Sequence, residues 1–172
     1  MIENSLWKIL AFIIAIILMF VAPMMTMYDR QDAITYSVAF SAVGEMADVT
    51  RELGRLKAMN YERMMDLLTA TGNTYEVQVE HYKKVYVPVY NNAGIFMNDY
   101  KITYEGSFNA DILAVLEATG DYKMSAGDLF FVHLENSSKT KGQVIREILL
   151  NQSDSLPNII VRSGGMIHHE PN

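Results

Sequence analysis

The residues best suited to chemistry are four histidines, His81, His133, His168 and His169, and the carboxylates near them. His168-His169-Glu170 has the composition of a metal-binding tract. Adjacent side chains on an extended tail point apart, however, so the tract reads as solvated tail. His81 and His133 fall within strand patterns, where a histidine satisfied inside a sheet is the simpler account. The stretch SGGM (163–166) has two glycines but no helix after it, so it reads as a turn rather than a phosphate cradle. No GxSxG, Walker or HExxH motif is present. The chain has no cysteine, and hence neither a disulfide framework nor a thiolate metal site. Asn136-Ser137-Ser138 and Asn151-Gln152-Ser153 match the glycosylation pattern, which has meaning only in a eukaryotic secretory route. The expectation is a protein that is not an enzyme, with no catalytic residue, metal or cofactor.

Composition narrows the partners further. A net charge of -6 leaves no cationic stripe to displace counterions, which argues against nucleic acid. No feature marks a small-molecule substrate site. At 172 residues the chain has room for one membrane segment and one compact domain.

The membrane segment is legible directly. Residues 9–27 carry no charge, and as a helix they span about 28 Å, close to the hydrocarbon thickness of a bilayer. Ten of the fourteen residues 9–22 are Leu, Ile, Phe or Val, which together favour insertion by about 3–6 kcal/mol. The run is longer than a secretory signal core, and VAPMMTMYDR after it offers no small-x-small cleavage site, so the span is expected to be retained. The α-amino group and Lys8 before it, with Asp29, Arg30 and Asp32 after it, lean towards a cytoplasmic N-terminus and an extracellular head.

Nothing breaks the helical pattern where the span ends. Ile34, Val38, Ala42, Met46, Val49, Leu53 and Leu56 form one stripe, and Tyr36, Phe40, Val43 and Ala47 a second. Over residues 33–43 the two stripes leave almost no polar face, which calls for burial either against the chain's own head or against other copies. Gly54 is placed to interrupt the helix before another at 60–71, which ends near Gly72. Strand patterns follow at 75–80, 100–105, 129–134 and 159–161, with helices at 110–118, capped by Asn109, and at 140–151. LTATGNTYEV and LEATGDYKM share a helix-stop pattern. The fold class is α+β: an N-terminal transmembrane helix (1–28) continuing into a long stalk helix (29–59), then a head (60–172) with a small antiparallel sheet and packed helices. Asn91-Asn92-Ala93-Gly94 reads as an exposed loop ringed by Tyr82, Tyr86, Tyr90, Tyr100 and Tyr104, a composition that suits an interface or a sheet face.

This layout resembles type IV pilins and pseudopilins, and is most similar to the TadE-like proteins of tight-adherence (Tad) pilus systems. The residues that carry the resemblance are the span 9–27 with Pro23, the stalk 29–53, and the stretches TATGNTYEVQVEH and AGDLFFVHL. The resemblance implies a structural subunit of an extracellular pilus-like filament, major or minor, that polymerises with copies of itself or related subunits. Its assembly interface would comprise Glu3, Ile13, Ile17, Phe20, Pro23, Tyr36, Phe40 and Val43. The chain departs from the pilin pattern in showing no basic leader, and Glu3 lies nearer the terminus than the pattern's glutamate. If the sequence is the mature form, Glu3 resembles the residue that pairs with a neighbour's terminal amine. The alternative is a bitopic accessory protein of a secretion or conjugation machine.

Overall fold

A computed structural model describes residues 2–150 and 159–170, with side chains at 6–148 and 159–170. Helix α1, Ile2–Leu53, runs unbroken through the apolar segment and the stalk, with Pro23 inside it. At 52 residues it is about 78 Å long. It ends where Gly54 turns the backbone to a φ of 65°, a conformation that suits glycine. After it come β1 (Arg55–Lys57), α2 (Ala58–Thr69), β2 (Tyr75–Tyr90), β3 (Phe96–Ser107) and α3 (Asn109–Thr119). The chain continues as β4 (Asp121–Lys123), β5 (Leu129–Asn136), α4 (Lys141–Leu150) and β6 (Ile160–Met166).

Strands β3, β2, β5 and β6 form a four-stranded antiparallel sheet in that order, and β1 pairs with β4 in a small second one. One face of the large sheet follows the period-2 alternation expected of a half-buried sheet: Val77 and Val79 on β2, Phe130, Val132 and Leu134 on β5, and Val161 on β6 are buried. The same core takes in Ala39, Ala42, Val43, Met46 and Ala47 of α1, with Met64 and Leu68 of α2 and Ile112 and Leu116 of α3. The α1 contribution is spaced three, one, three and one residues apart, a single narrow stripe, and three of its five members are alanines, which lets the helix axis approach closely. On the opposite, wetter face Arg162 stacks over the Phe131 ring at 4.9 Å and reaches Glu80 at 3.6 Å.

Strand β2 is longer than either neighbour. It pairs with β5 over Tyr75–Tyr82 and with β3 from His81 onward. At each point where a neighbour departs, a side-chain oxygen replaces it: Asn109 Oδ1 accepts the Val79 N–H at 3.2 Å, and Asp128 Oδ1 accepts the Lys84 N–H at 2.8 Å. Both donors would otherwise be unpaired strand amides.

Several expected elements shift. Strands β2 and β3 are far longer than 75–80 and 100–105, because the outer half of β2 and nearly all of β3 pair with each other beyond the core. Asn109 is the first residue of α3 rather than its cap, which is Phe108. The two helix stops do share a solution, since Gly72 and Gly120 both take left-handed φ values, 77° and 74°. SGGM (163–166) is the end of β6, not a turn. Its glycines are steric: a methyl on Gly164 would meet the Phe130 carbonyl and the Phe131 backbone, and one on Gly165 would press on the Arg51 guanidinium at 3.2 Å.

The tail after β6 is exposed but not simply solvated. The His168 N–H donates to the Arg51 carbonyl (3.0 Å), Arg51 Nε–H donates to the Met166 carbonyl (3.1 Å), and the His168 ring bonds Glu52 (2.8 Å). These contacts give a last-turn carbonyl of α1 the partner it lacks within the helix. Gly164→Ala is expected to destabilise the head by more than about 2 kcal/mol, whereas Gly44→Ala, in open space on α1, should be neutral or stabilising. Thermal unfolding of the two variants in detergent, followed by circular dichroism, checks this; equal midpoints would contradict the β5–β6 crowding.

Candidate interaction surface

The most organised polar cluster lies around His81. Its Nε2 bonds Asp128 Oδ2 at 3.0 Å and its Nδ1 bonds the Tyr122 hydroxyl at 2.9 Å. Asp128 also accepts the Ser125 N–H at 2.8 Å. Burial by itself would raise the Asp128 carboxyl, but the Lys84 and Ser125 amides and His81 outweigh it and hold the group below its ordinary value. Burial pushes the Tyr122 phenol up, above its ordinary value. An Asp–His–hydroxyl chain is the skeleton of an acid–base relay. Here His81 and Asp128 are only 5% and 2% exposed, so no substrate atom reaches them. The cluster instead ties β2 to β4 and to the loop before β5.

The other histidines do not converge. His133 lies on the outer face of β5, 3.9 Å from Glu135. His168 and His169 both approach Glu52, at 2.8 and 3.9 Å, and no group of three potential ligands is arranged to hold a metal among the described residues. Asn136 is buried, with its side chain bonded to Ser138 and Ile159, so its acceptor pattern is spent inside the fold. Asn151 falls outside the described residues.

Beyond Tyr82 and Leu129 the chain leaves the core as a two-stranded ribbon made of the outer half of β2 and nearly all of β3. The register Lys84↔Tyr104, Tyr86↔Ile102 and Pro88↔Tyr100 puts these six residues on one side. Tyr86, Tyr100, Ile102 and Tyr104 are exposed. Rings continue towards the tip, with Tyr90 to Phe96 at 5.9 Å and Phe96 to Tyr100 at 5.4 Å. Asn91 Oδ1 closes the loop by accepting the Ala93 and Ile95 amides, both at 2.9 Å. The tyrosines near the Asn-Asn-Ala-Gly loop thus form an exposed aromatic ribbon, except Tyr82, which is half-buried against Phe108 and Phe131.

Helix α1 presents the larger apolar surface. It is long and apolar enough to cross a membrane, and none of its most apolar stretch is buried within the chain. Ile13, Ile17, Phe20 and Pro23 are exposed there. Tyr36 and Phe40 continue the surface on the stalk, their rings stacked at 6.3 Å with Phe40 57% exposed. Val43 does not belong with them. It is completely buried in the head, although it lies only about 60° round the helix from Phe40: the packed stripe Ala39, Ala42, Val43 includes it, and Phe40 falls just beyond the edge of that stripe. The Glu3 side chain lies outside the described residues. The apolar stalk is therefore divided, one side packed on its own head and the other left open. No protein-family model, curated protein or solved structure matches the chain.

Phe40→Asp is expected to leave head stability nearly unchanged, while Val43→Asp should cost more than about 3 kcal/mol, because it buries a carboxylate without a partner. Urea titration of both variants in detergent separates the surface role from the core role. A second expectation concerns pH. A carboxyl held low in the folded state adds stability above its unfolded value, and this is lost as pH falls below about 4. Asp128→Asn should therefore be less stable than wild type near neutral pH and show a smaller drop in melting temperature on acidification. Parallel pH profiles would remove Asp128 from the acid response.

Proposed function

We propose that the protein is a pilin-like structural subunit, anchored through α1 before assembly and joined to its neighbours through the same helix in an extracellular filament of the type IV or Tad kind. The observation that carries this reading is the division of α1. Residues 39–50 bury one stripe in the head, while residues 6–20 are exposed all round, with no cover from their own chain. An apolar helix bare on all sides needs a second medium, either lipid or other helices. The open stalk residues Tyr36 and Phe40 extend that need above the span, where lipid is absent and a neighbouring subunit can supply the cover. On this reading Lys8 and the N-terminus lie in the cytoplasm and the head lies outside.

A second reading, a bitopic accessory protein of a secretion or conjugation machine, is favoured by the aromatic ribbon. Its exposed aromatic residues lie on a paired ladder separate from α1, where they suit a single dissimilar partner. Electron microscopy of material sheared from expressing cells, with mass spectrometry of the mature N-terminus, distinguishes the two. The filament reading expects polymers containing this chain, lost in Phe40→Asp. Unpolymerised protein confined to the membrane fraction, in wild type and variant alike, would favour the accessory reading.

A further inference from the structure

Helix α4 descends alongside α1 towards the apolar span. At its upper end the Thr140 hydroxyl donates to Asp32 Oδ2 at 2.7 Å. Gly142 lies so close to the same carboxylate that a methyl group would overlap it. One turn further down, Arg146 pairs with Asp29. Lower still, Ile145 and Ile148 face Val21 and Met24 across a groove of about 150 Å³, which these four line among the described residues. The contacts on α1 thus step from Asp32 through Asp29 to Met24 and Val21 as those on α4 step from Thr140 to Ile148. The two helices run antiparallel. Asp32 to Met24 on α1 and Thr140 to Ile148 beside it are both steps of eight residues, about 12 Å each, so the descents match as far as Met24.

Val21 and Met24 belong to the uncharged segment 9–27. The lower end of α4 is therefore level with the last turns of the span. Lys139 and Lys141 lie at the head end of α4, Arg146 and Glu147 fall between Ile145 and Ile148, and the helix finishes Ile148-Leu149-Leu150. Ile148 is 75% exposed and Val144 is exposed above it. Apolar side chains at that depth, continuous with a lipid-facing helix, have hydrocarbon as their neighbouring medium.

We propose that α4 is a second membrane contact, an interfacial anchor whose lower turn enters the head-side leaflet, with Ile148 against lipid and an acyl chain in the groove beside Val21 and Met24. The inference rests on α1 spanning a bilayer. It gives Asp29 and Asp32 a further role: they hold α4 to α1 and so fix the height and rotation of the head above the membrane.

The test uses the full chain in phosphatidylcholine vesicles, with and without lipids brominated on their acyl chains, both near the glycerol and near the bilayer centre. Trp7 is the single tryptophan, so a Trp7→Phe background accepts one reporter at a time: Ile148→Trp, Leu18→Trp for the span, and Ala93→Trp for the ribbon tip. The expected result is quenching of Ile148→Trp by brominated lipid to at least half the extent seen for Leu18→Trp, with Ala93→Trp unaffected. Quenching of Leu18→Trp without quenching of Ile148→Trp would overturn the anchor and leave the span intact. Blue-shifted but unquenched Ile148→Trp emission would overturn it in favour of cover by a second copy. No quenching at Leu18→Trp would overturn the membrane reading and the anchor with it.

Discussion

The burial of the narrow stripe Ala39, Ala42, Val43, Met46 and Ala47 in the sheet-and-helix core fixes α1 against the head. Small side chains let α1 lie close to the sheet, so one face of a continuous helix becomes part of the head. The rest of that helix is then committed. Its lower half cannot fold back onto a core already filled by its upper half, and its remaining apolar surface must be satisfied from outside the chain. The end of α1 is secured by the tail, where His168 bonds the Arg51 carbonyl and Glu52, and α4 is secured to its middle through Asp29 and Asp32.

The sheet carries a comparable division. Strand β2 serves the core with one half and the ribbon with the other, and its two neighbours are offset along it. A strand amide left without a neighbour and away from water is costly. Asn109 and Asp128 remove that cost at the two departures, and Asp128 does so while anchoring His81 and hence Tyr122. A cluster with the residue types of a catalytic relay is thus a device for letting a ribbon leave a sheet. Its inaccessibility, rather than its composition, decides between those roles.

Both divisions leave apolar surface in places where a monomer in water has no use for it: the lower half of α1, the Tyr36–Phe40 side of the stalk, and the aromatic side of the ribbon. The pilin-like reading proposed above would cover these separate surfaces with lipid and with neighbouring subunits.

The sequence by itself determined the apolar span, the helix continuing past it (the stalk expected to reach 59 ends at Leu53, and Leu56 lies on β1), the α+β class with its antiparallel strands, and the two glycine helix stops. These are local properties: helical spacing, alternation and left-handed φ are written in runs of neighbouring residues. Tertiary structure alone decided which stripe of the stalk faces the head. Val43 and Phe40 belong to the same helical pattern, and only the sheet's position separates the buried residue from the exposed one. Strand lengths also depended on it, because the outer half of β2 and nearly all of β3 are defined by each other rather than by a core. The SGGM stretch looked like a turn because two glycines usually mark one; in the fold they mark a close approach between strands. The pairing of Asp29 and Asp32 with α4, more than a hundred residues away in sequence, left no local trace. Periodicity reports that a face is apolar; only packing assigns the medium that covers it.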